Sequence, residues 1–136
     1  MNYLDTSAMV RAWRLQVVPQ GCVTRSHTLA EFYSTLTGGL TAKIVGIETR
    51  VKFKPTDAAK AAAETFAGMT FEDLTPVETQ EQLTVAAKKN VQSANIHDLM
   101  HAAAAQKAGC AAIVTSNERH FKTVTDLKLI SPPNFF

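Results

Sequence analysis

Short apolar segments alternate with helical segments along this chain, and this alternation restricts the fold more than any other feature. Apolar residues recur at helical spacing in the expected helices, as Leu29, Phe32, Tyr33 and Leu36 do within residues 28–37. Strands that alternate with helices are typical of a parallel α/β sheet with helices on both faces. The strands are expected at 1–5, 22–25, 69–74, 110–115 and 127–130, and the other helices at 7–14, 55–67, 76–90 and 95–109. Residues 40–54 alternate only loosely and receive no assignment.

Length and composition favour one globular domain over residues 1–136. Apolar residues make up 46% and charged residues 19%, and no apolar run is long enough to cross a bilayer. No basic segment precedes an apolar stretch at the N-terminus, so we expect no signal peptide and a cytoplasmic location. Cys22 and Cys110 form no C-x-x-C pair and are expected to be small buried side chains. The net charge of +2 permits a nucleic-acid partner without indicating one.

Four polar residues stand where an expected strand ends or an expected helix begins. Asp5 follows the first strand, Glu31 and Asp98 lie in the first turns of two helices, and Asn117 follows the strand CAAIVT. Helix capping is the ordinary explanation for each one taken alone. Thr28 and Glu31, for example, have the spacing of a capping box.

Taken together, the four residues point to a shared site. Ligands of open parallel sheets bind beyond the carboxyl ends of the strands, near the point where the strand order reverses. Three carboxylates gathered there would repel one another unless a cation neutralised them. Oxygen ligands favour a hard divalent ion, Mg²⁺ or Mn²⁺, and such an ion can activate a water for attack on a phosphodiester.

Four segments of the chain, in order, resemble the signature segments of PIN-domain ribonucleases, especially the VapC-type toxins of bacterial toxin–antitoxin modules. The segments are LDTSAMV, TLAEFYSTL, NIHDLMHAAAAQKAG and IVTSNERHF. The resemblance implies a three-layer α/β/α fold with a central parallel sheet. It also implies metal-dependent RNA cleavage that leaves 5′-phosphate and 3′-hydroxyl ends. The implied partners are a cognate antitoxin and a second copy of the chain, in a homodimer or a larger toxin–antitoxin assembly.

The resemblance assigns roles residue by residue. Asp5, Glu31 and Asp98 fall on the three acidic metal-binding positions of the family, and Asn117 falls on a fourth catalytic position that is often Asp. Asn117 lowers the charge of the site by one. The hydroxyl groups expected to orient Asp5 or a metal-bound water belong to Thr6, Ser7 and Thr115. Separately from the resemblance, Arg11, Arg119 and His120 lie near the expected site and are expected to contact the RNA substrate.

Two other functions fit parts of the sequence. HDLMH spaces His97 and His101 as in the zinc-protease motif H-E-x-x-H, so a zinc hydrolase is one alternative, with Glu118 or His120 as its third ligand. Otherwise both histidines are expected to be partly exposed helix residues or dimer contacts. The second alternative is a catalytically weakened PIN domain that only binds RNA or protein. Asn117 favours it, whereas the retention of three mutually repelling acids opposes it.

Overall fold

The computed structural model describes all 136 residues and contains seven strands. They are β1 (Asn2–Leu4), β2 (Val23–Thr24), β3 (Leu40–Ile44), β4 (Ile47–Val51), β5 (Thr70–Phe71), β6 (Ala112–Val114) and β7 (Lys128–Ile130). Five of them form one sheet in the order β5-β2-β1-β6-β7, and every neighbouring pair is parallel. The predicted central parallel sheet is therefore confirmed, with β1 in its middle.

Seven helices connect or follow these strands. They are α1 (Thr6–Arg14), α2 (Ser26–Gly38), α3 (Pro55–Thr65), α4 (Pro76–Lys88), α5 (Asn95–Lys107), α6 (Glu118–Phe121) and α7 (Pro132–Phe135). The expected helices are all present, with ends that differ by a few residues. None of the helices has the length and apolar character that crossing a membrane requires.

The helices pack in two layers, because successive residues of a strand point to opposite faces of the sheet. Tyr3 and Ile113 point into a core shared with α4, α5 and α6, whereas Leu4 and Val114 point into a core shared with α1, α2 and α3. This confirms the three-layer α/β/α arrangement. Cys22 and Cys110 are buried free thiols, one in each core.

Helix α2 differs from its prediction in how it begins. It starts at Ser26 rather than 28, and its N-cap residue Arg25 makes no side-chain capping bond. The expected capping box of Thr28 and Glu31 is wrong, since the buried Thr28 hydroxyl is instead hydrogen-bonded to Thr24 Oγ1 at 2.8 Å. Glu31 therefore has no capping role. Tyr33, expected on the apolar face, is 37% exposed.

The unassigned segment 40–54 contains an antiparallel hairpin of β3 and β4, separate from the main sheet. Leu40, Ala42 and Ile44 face Val51, Thr49 and Ile47 across the hairpin, so these six side chains share one face. The hairpin is attached to the domain at its base, where Leu40 packs on the core of α1, α2 and α3. Its tip is exposed.

Candidate metal and nucleic-acid site

An open cavity of about 720 Å³ lies at the carboxyl edge of the central sheet. Only one of its 12 lining residues, Val10, is hydrophobic. The strand order reverses at β1, because β2 and β5 follow on one side and β6 and β7 on the other. The cavity is thus where ligands of parallel sheets bind. Among its lining residues are Asp5, Glu31, Asp98 and Asn117.

Asp5 is the most buried carboxylate of the cavity, with 6% of the residue exposed. It is the N-cap of α1: its Oδ1 accepts the backbone N–H of Ala8 at 3.0 Å and the hydroxyl of Ser7 at 2.6 Å. Its Oδ2 accepts only the hydroxyl of Thr115, at 2.5 Å. Since a carboxylate oxygen can accept two bonds, Oδ2 retains a free acceptor position. Asp5 can therefore cap α1 and still bind a cation.

The two hydroxyls that contact Asp5 are themselves oriented by the loop after β6. Ser7 Oγ accepts the backbone N–H of Ser116 at 2.9 Å, and Thr115 Oγ1 accepts that of Asn117 at 2.9 Å. Each hydroxyl consequently directs its hydrogen toward Asp5 and fixes the carboxylate in one orientation. Of the three hydroxyls expected to orient Asp5, Ser7 and Thr115 contact it. The buried Oγ1 of Thr6 has no hydrogen-bond partner.

Glu31 is held by a histidine that our sequence interpretation assigned differently. His101 Nε2 lies 3.0 Å from Glu31 Oε1, and His101 Nδ1 lies 2.6 Å from the Tyr3 hydroxyl. Because a carboxylate only accepts, Nε2 carries the hydrogen and donates it to Glu31. Burial raises the pKa of Glu31, but the hydrogen bond and charge of His101, together with the charges of His27 and Arg25, outweigh burial, so the pKa lies below its ordinary value. Glu31 Oε2 accepts no hydrogen bond.

His101 was expected to be partly exposed or a dimer contact, and this was wrong, since only 3% of the residue is exposed. Two features of the sequence could have revealed its position. His101 lies three residues after Asp98, about one helical turn, and therefore on the same side of α5. It also sits among the buried alanines of that helix, where a polar ring needs a partner.

Asp98 and Asn117 contact each other across the cavity. Asn117 Nδ2 donates to Asp98 Oδ2 at 3.2 Å, and the second oxygen, Oδ1, accepts no hydrogen bond. Burial raises the pKa of Asp98, and the Asp5 carboxylate adds to the rise although His101 opposes it. Neither residue is a side-chain cap of its helix. Asn117 thus orients a carboxylate that has a free oxygen.

The basic residues expected near the site occupy different places. Arg11 lines the cavity, and its buried Nε has no hydrogen-bond partner. Arg14 also lines the cavity and donates from Nη2 to the carbonyl of Thr41 at 3.1 Å. Arg119 and His120 are exposed on α6 and do not line it, although His120 Nδ1 is 3.8 Å from Asp98 Oδ2.

The donor set fits a hard cation that retains part of its water shell. No three His, Cys, Asp or Glu side chains lie close enough to bind one ion by themselves. Mg²⁺ is usually held by one or two carboxylates together with waters and substrate phosphates. Free carboxylate oxygens on Asp5, Glu31 and Asp98 match that requirement, and the cavity is polar and open.

The spacing of HDLMH does not produce a zinc site in this structure. Both ring nitrogens of His101 already contact other side chains. His97 is exposed and stacks on His27, with the ring centroids 5.6 Å apart.

Comparison with known proteins agrees with this fold. No curated protein sequence matches the chain. Among solved structures, VapBC-1 from nontypeable Haemophilus influenzae is similar, with a TM-score of 0.62, 16% identity and coverage of 98% of this chain and 99% of that one. FitAB bound to an IR36 DNA fragment is similar with a TM-score of 0.58, 17% identity and coverage of 97% and 95%. These likenesses show a shared fold.

A family model described as "PIN domain" matches residues 3–127. That range begins in β1 and ends just before β7, so it contains all four polar residues of the cavity. The chain therefore belongs to the PIN-domain family.

Proposed function

We propose that this PIN-domain protein is a metal-dependent endoribonuclease that acts as the toxin of a toxin–antitoxin pair. One observation carries the proposal: Asp5, Glu31 and Asp98 line the same open cavity, each held by its own polar neighbours and each with a free acceptor position. Structural capping accounts for Asp5 alone. The other two carboxylates cap no helix.

Asp5, Glu31 and Asp98 would hold Mg²⁺ or Mn²⁺ together with waters of its hydration shell, and Asn117 would keep Asp98 in position. A divalent ion bound there supplies charge neutralisation and a more acidic water. Hydrolysis of the phosphodiester would add a water oxygen to phosphorus and break the bond to O3′, which takes up a proton and leaves as a hydroxyl, while the other fragment keeps the phosphate on its 5′ oxygen. Arg11, with its unpartnered buried Nε, is placed to bind a phosphate oxygen in the cavity. His120, 3.8 Å from Asp98, would contact flanking nucleotides, and Arg119 on the same helix would add a second contact.

The PIN family and the fold of VapBC-1 and FitAB support an antitoxin as the protein partner. We propose that a segment of this antitoxin covers the cavity and excludes RNA. We also propose a homodimer as the unit of the toxin–antitoxin assembly. Light scattering tests the dimer directly, since the expected mass is twice the 14.8 kDa of one chain.

Incubation of the purified protein with structured RNA and Mn²⁺ tests the nuclease. Asp5→Asn and Asp98→Asn should reduce cleavage by at least about 100-fold, because each removes a charged metal-binding group. Asp57→Asn is the matched control, since Asp57 is an exposed acid in the first turn of α3. Products should carry 5′-phosphate and 3′-hydroxyl ends. Equal fragment patterns from the wild type and the two site variants would contradict the proposal.

A binding module without hydrolytic activity is the second candidate, because the uncharged Asn117 lowers the negative charge of the site. The two functions differ in bacterial growth. A toxin should arrest growth when expressed alone, and Asp5→Asn should relieve the arrest. Arrest that persists in Asp5→Asn would favour the binding module.

A further inference from the structure

The positive charge of this chain is concentrated in the β3–β4 hairpin and the residues that follow it. Residues 40–54 contain four basic residues and one acidic residue, for a net charge of +3. The other 121 residues contain ten basic and eleven acidic residues, for a net charge of −1. Lys43, Lys52 and Lys54 are exposed, and none of them forms a salt bridge. Residues 40–54 therefore form a basic arm in a chain whose overall charge is weak.

This basic arm is connected to the cavity at two points. Arg14 lines the cavity and donates to the carbonyl of Thr41 in β3. On α2, Thr35 lines the cavity, and the next carbonyl, that of Leu36, accepts the backbone N–H of Phe53 at 3.0 Å. Lys52 and Lys54 flank Phe53 in sequence, so this hydrogen bond holds the lysine-bearing segment next to α2.

The charge of the side chains that line the cavity changes from negative to positive along α1. Asp5 lies at the N-terminal end of this helix, whereas Arg11 and Arg14 lie two turns further along the same cavity. A phosphate near the carboxylates would be repelled without a cation, but phosphates further along would meet arginine and then lysine. This order of charges suits a polyanion that enters the site at one phosphate and continues toward the hairpin.

We propose that the groove along α1 and the basic arm form a binding track for the single-stranded RNA that flanks the cleaved bond. The inference rests on the ribonuclease function proposed above, because it takes RNA as the substrate. Charge complementarity selects this occupant: lysines without ion pairs bind phosphates and release counterions. Arg50 contributes less, since its Nη2 already donates to the carbonyl of Gly38 at 2.9 Å.

The exposed apolar tip of the hairpin could instead bind a protein partner. Ile44 is 50% exposed and Ile47 is 69% exposed, and both lie on the face opposite Lys43. A protein partner would use these side chains, whereas RNA phosphates would use the lysines. The two occupants therefore predict different sensitive residues.

The test is fluorescence anisotropy with a labelled single-stranded RNA oligonucleotide, in the Asp98→Asn background so that the probe stays intact. Lys43→Ala with Lys52→Ala should weaken binding roughly 10- to 30-fold at 0.1 M salt. The same pair should reduce the slope of log K against log salt by about 1.4, from 0.7 per lost phosphate contact. Lys88→Ala with Lys89→Ala is the matched control, because it removes equal charge from the exposed C-terminal end of α4.

Ile44→Ser with Ile47→Ser should leave RNA binding unchanged. The proposal is overturned if the hairpin lysine pair binds RNA like the control pair, or if only the isoleucine pair weakens binding. Cleavage by the protein with Asp98 intact is measured separately. If the lysine pair reduces the salt slope as expected but the protein cleaves no RNA, the nuclease is rejected and the binding track is kept. If the protein cleaves RNA but the lysine pair leaves the salt slope unchanged, only the binding track is rejected.

Discussion

At the scale of single residues, His101 connects all three layers of the fold. It extends from α5 in one layer, contacts Tyr3 of the central strand and donates to Glu31 of α2 in the other layer. Histidine can make both contacts at once because its two ring nitrogens lie on different sides of the ring. A buried side chain therefore fixes the orientation of the Glu31 carboxylate, including its free oxygen Oε2.

Replacement of His101 by alanine should therefore weaken Mn²⁺ binding about 10- to 100-fold, the usual effect of losing a group that orients a metal ligand. Isothermal titration of Mn²⁺ in the absence of RNA measures the effect without relying on catalysis. His97→Ala is the control, since His97 lies on the same helix but is exposed. If both variants bind Mn²⁺ equally well, His101 has only a structural role.

Asn117 offers a second test at this scale, because its amide donates to a carboxylate whose pKa is already raised. Asn117→Asp should replace that hydrogen bond with repulsion and lower the free energy of unfolding of the metal-free protein by roughly 1–2 kcal/mol at neutral pH. Because burial raises the pKa of Asp98, the repulsion and the loss of stability should become smaller as the pH falls and the carboxyl groups are protonated. Thermal melts at pH 7 and pH 4 measure this difference. An equal loss at both pH values would exclude repulsion as the cause.

The sequence predicted which residues surround the cavity better than it predicted their contacts. Asp5, Asp98 and Asn117 meet there because strand ends and helix starts share one edge of a parallel sheet, which is a rule of topology. Glu31 reaches the same cavity from the second turn of α2. The contact of His101 depends on the exact rotation of α5 about its axis. Periodicity alone does not fix that rotation.

At the scale of elements, the hairpin illustrates a limit of local patterns. Its strands alternate with a period of two, but the turn contains Val45 at φ 52° and Gly46 at φ 75°. Turns of this type usually carry Asn-Gly or Asp-Gly, and a β-branched residue rarely adopts positive φ. Because Val45 stands where a turn residue is expected, the segment carries no turn signal for a hairpin that the alternation of its strands supports. Helices α3 and α4 were easier to predict because Pro55 and Pro76 are their first residues.

Helix α4 begins with a capping arrangement that should respond to acid. Glu78 accepts hydrogen bonds from the Lys107 ammonium and from the backbone N–H of Thr75, and these hydrogen bonds lower the pKa of Glu78 to about 2. A carboxylate with a depressed pKa stabilises the fold above its unfolded pKa of about 4.3, and the stabilisation is lost as the pH falls toward 2. Glu78→Gln should thus reduce stability at neutral pH and flatten its decline between these values.

Urea unfolding measured at several pH values tests this expectation. Glu81→Gln is the matched control, since Glu81 lies on the same helix, is exposed and makes no side-chain hydrogen bond. The expectation is wrong if the two variants lose stability along the same curve as the pH falls.

At the scale of the whole molecule, the sheet divides the interior into two cores that share its strands. Each core contains a fully buried phenylalanine, Phe32 on the side of α2 and Phe121 on the side of α6. Neighbouring residues of β1, Tyr3 and Leu4, belong to different cores. If one core were lost, one face of the strands would be exposed to solvent. The other core packs on the same strands and would lose its support.

This coupling predicts one cooperative unfolding transition for both halves of the molecule. Phe32→Ala and Phe121→Ala should each lower the free energy of unfolding by about 3–5 kcal/mol, the usual cost of deleting a buried aromatic ring. Trp13, the only tryptophan, packs against Phe32 and Phe53, so its fluorescence reports on one core, whereas far-UV circular dichroism reports on all helices. In Phe121→Ala the two signals should still change together in urea, because the core that holds Trp13 cannot persist on a sheet whose other face is exposed. A fluorescence transition that stays at the wild-type urea concentration while the dichroism transition shifts would show that the cores unfold independently.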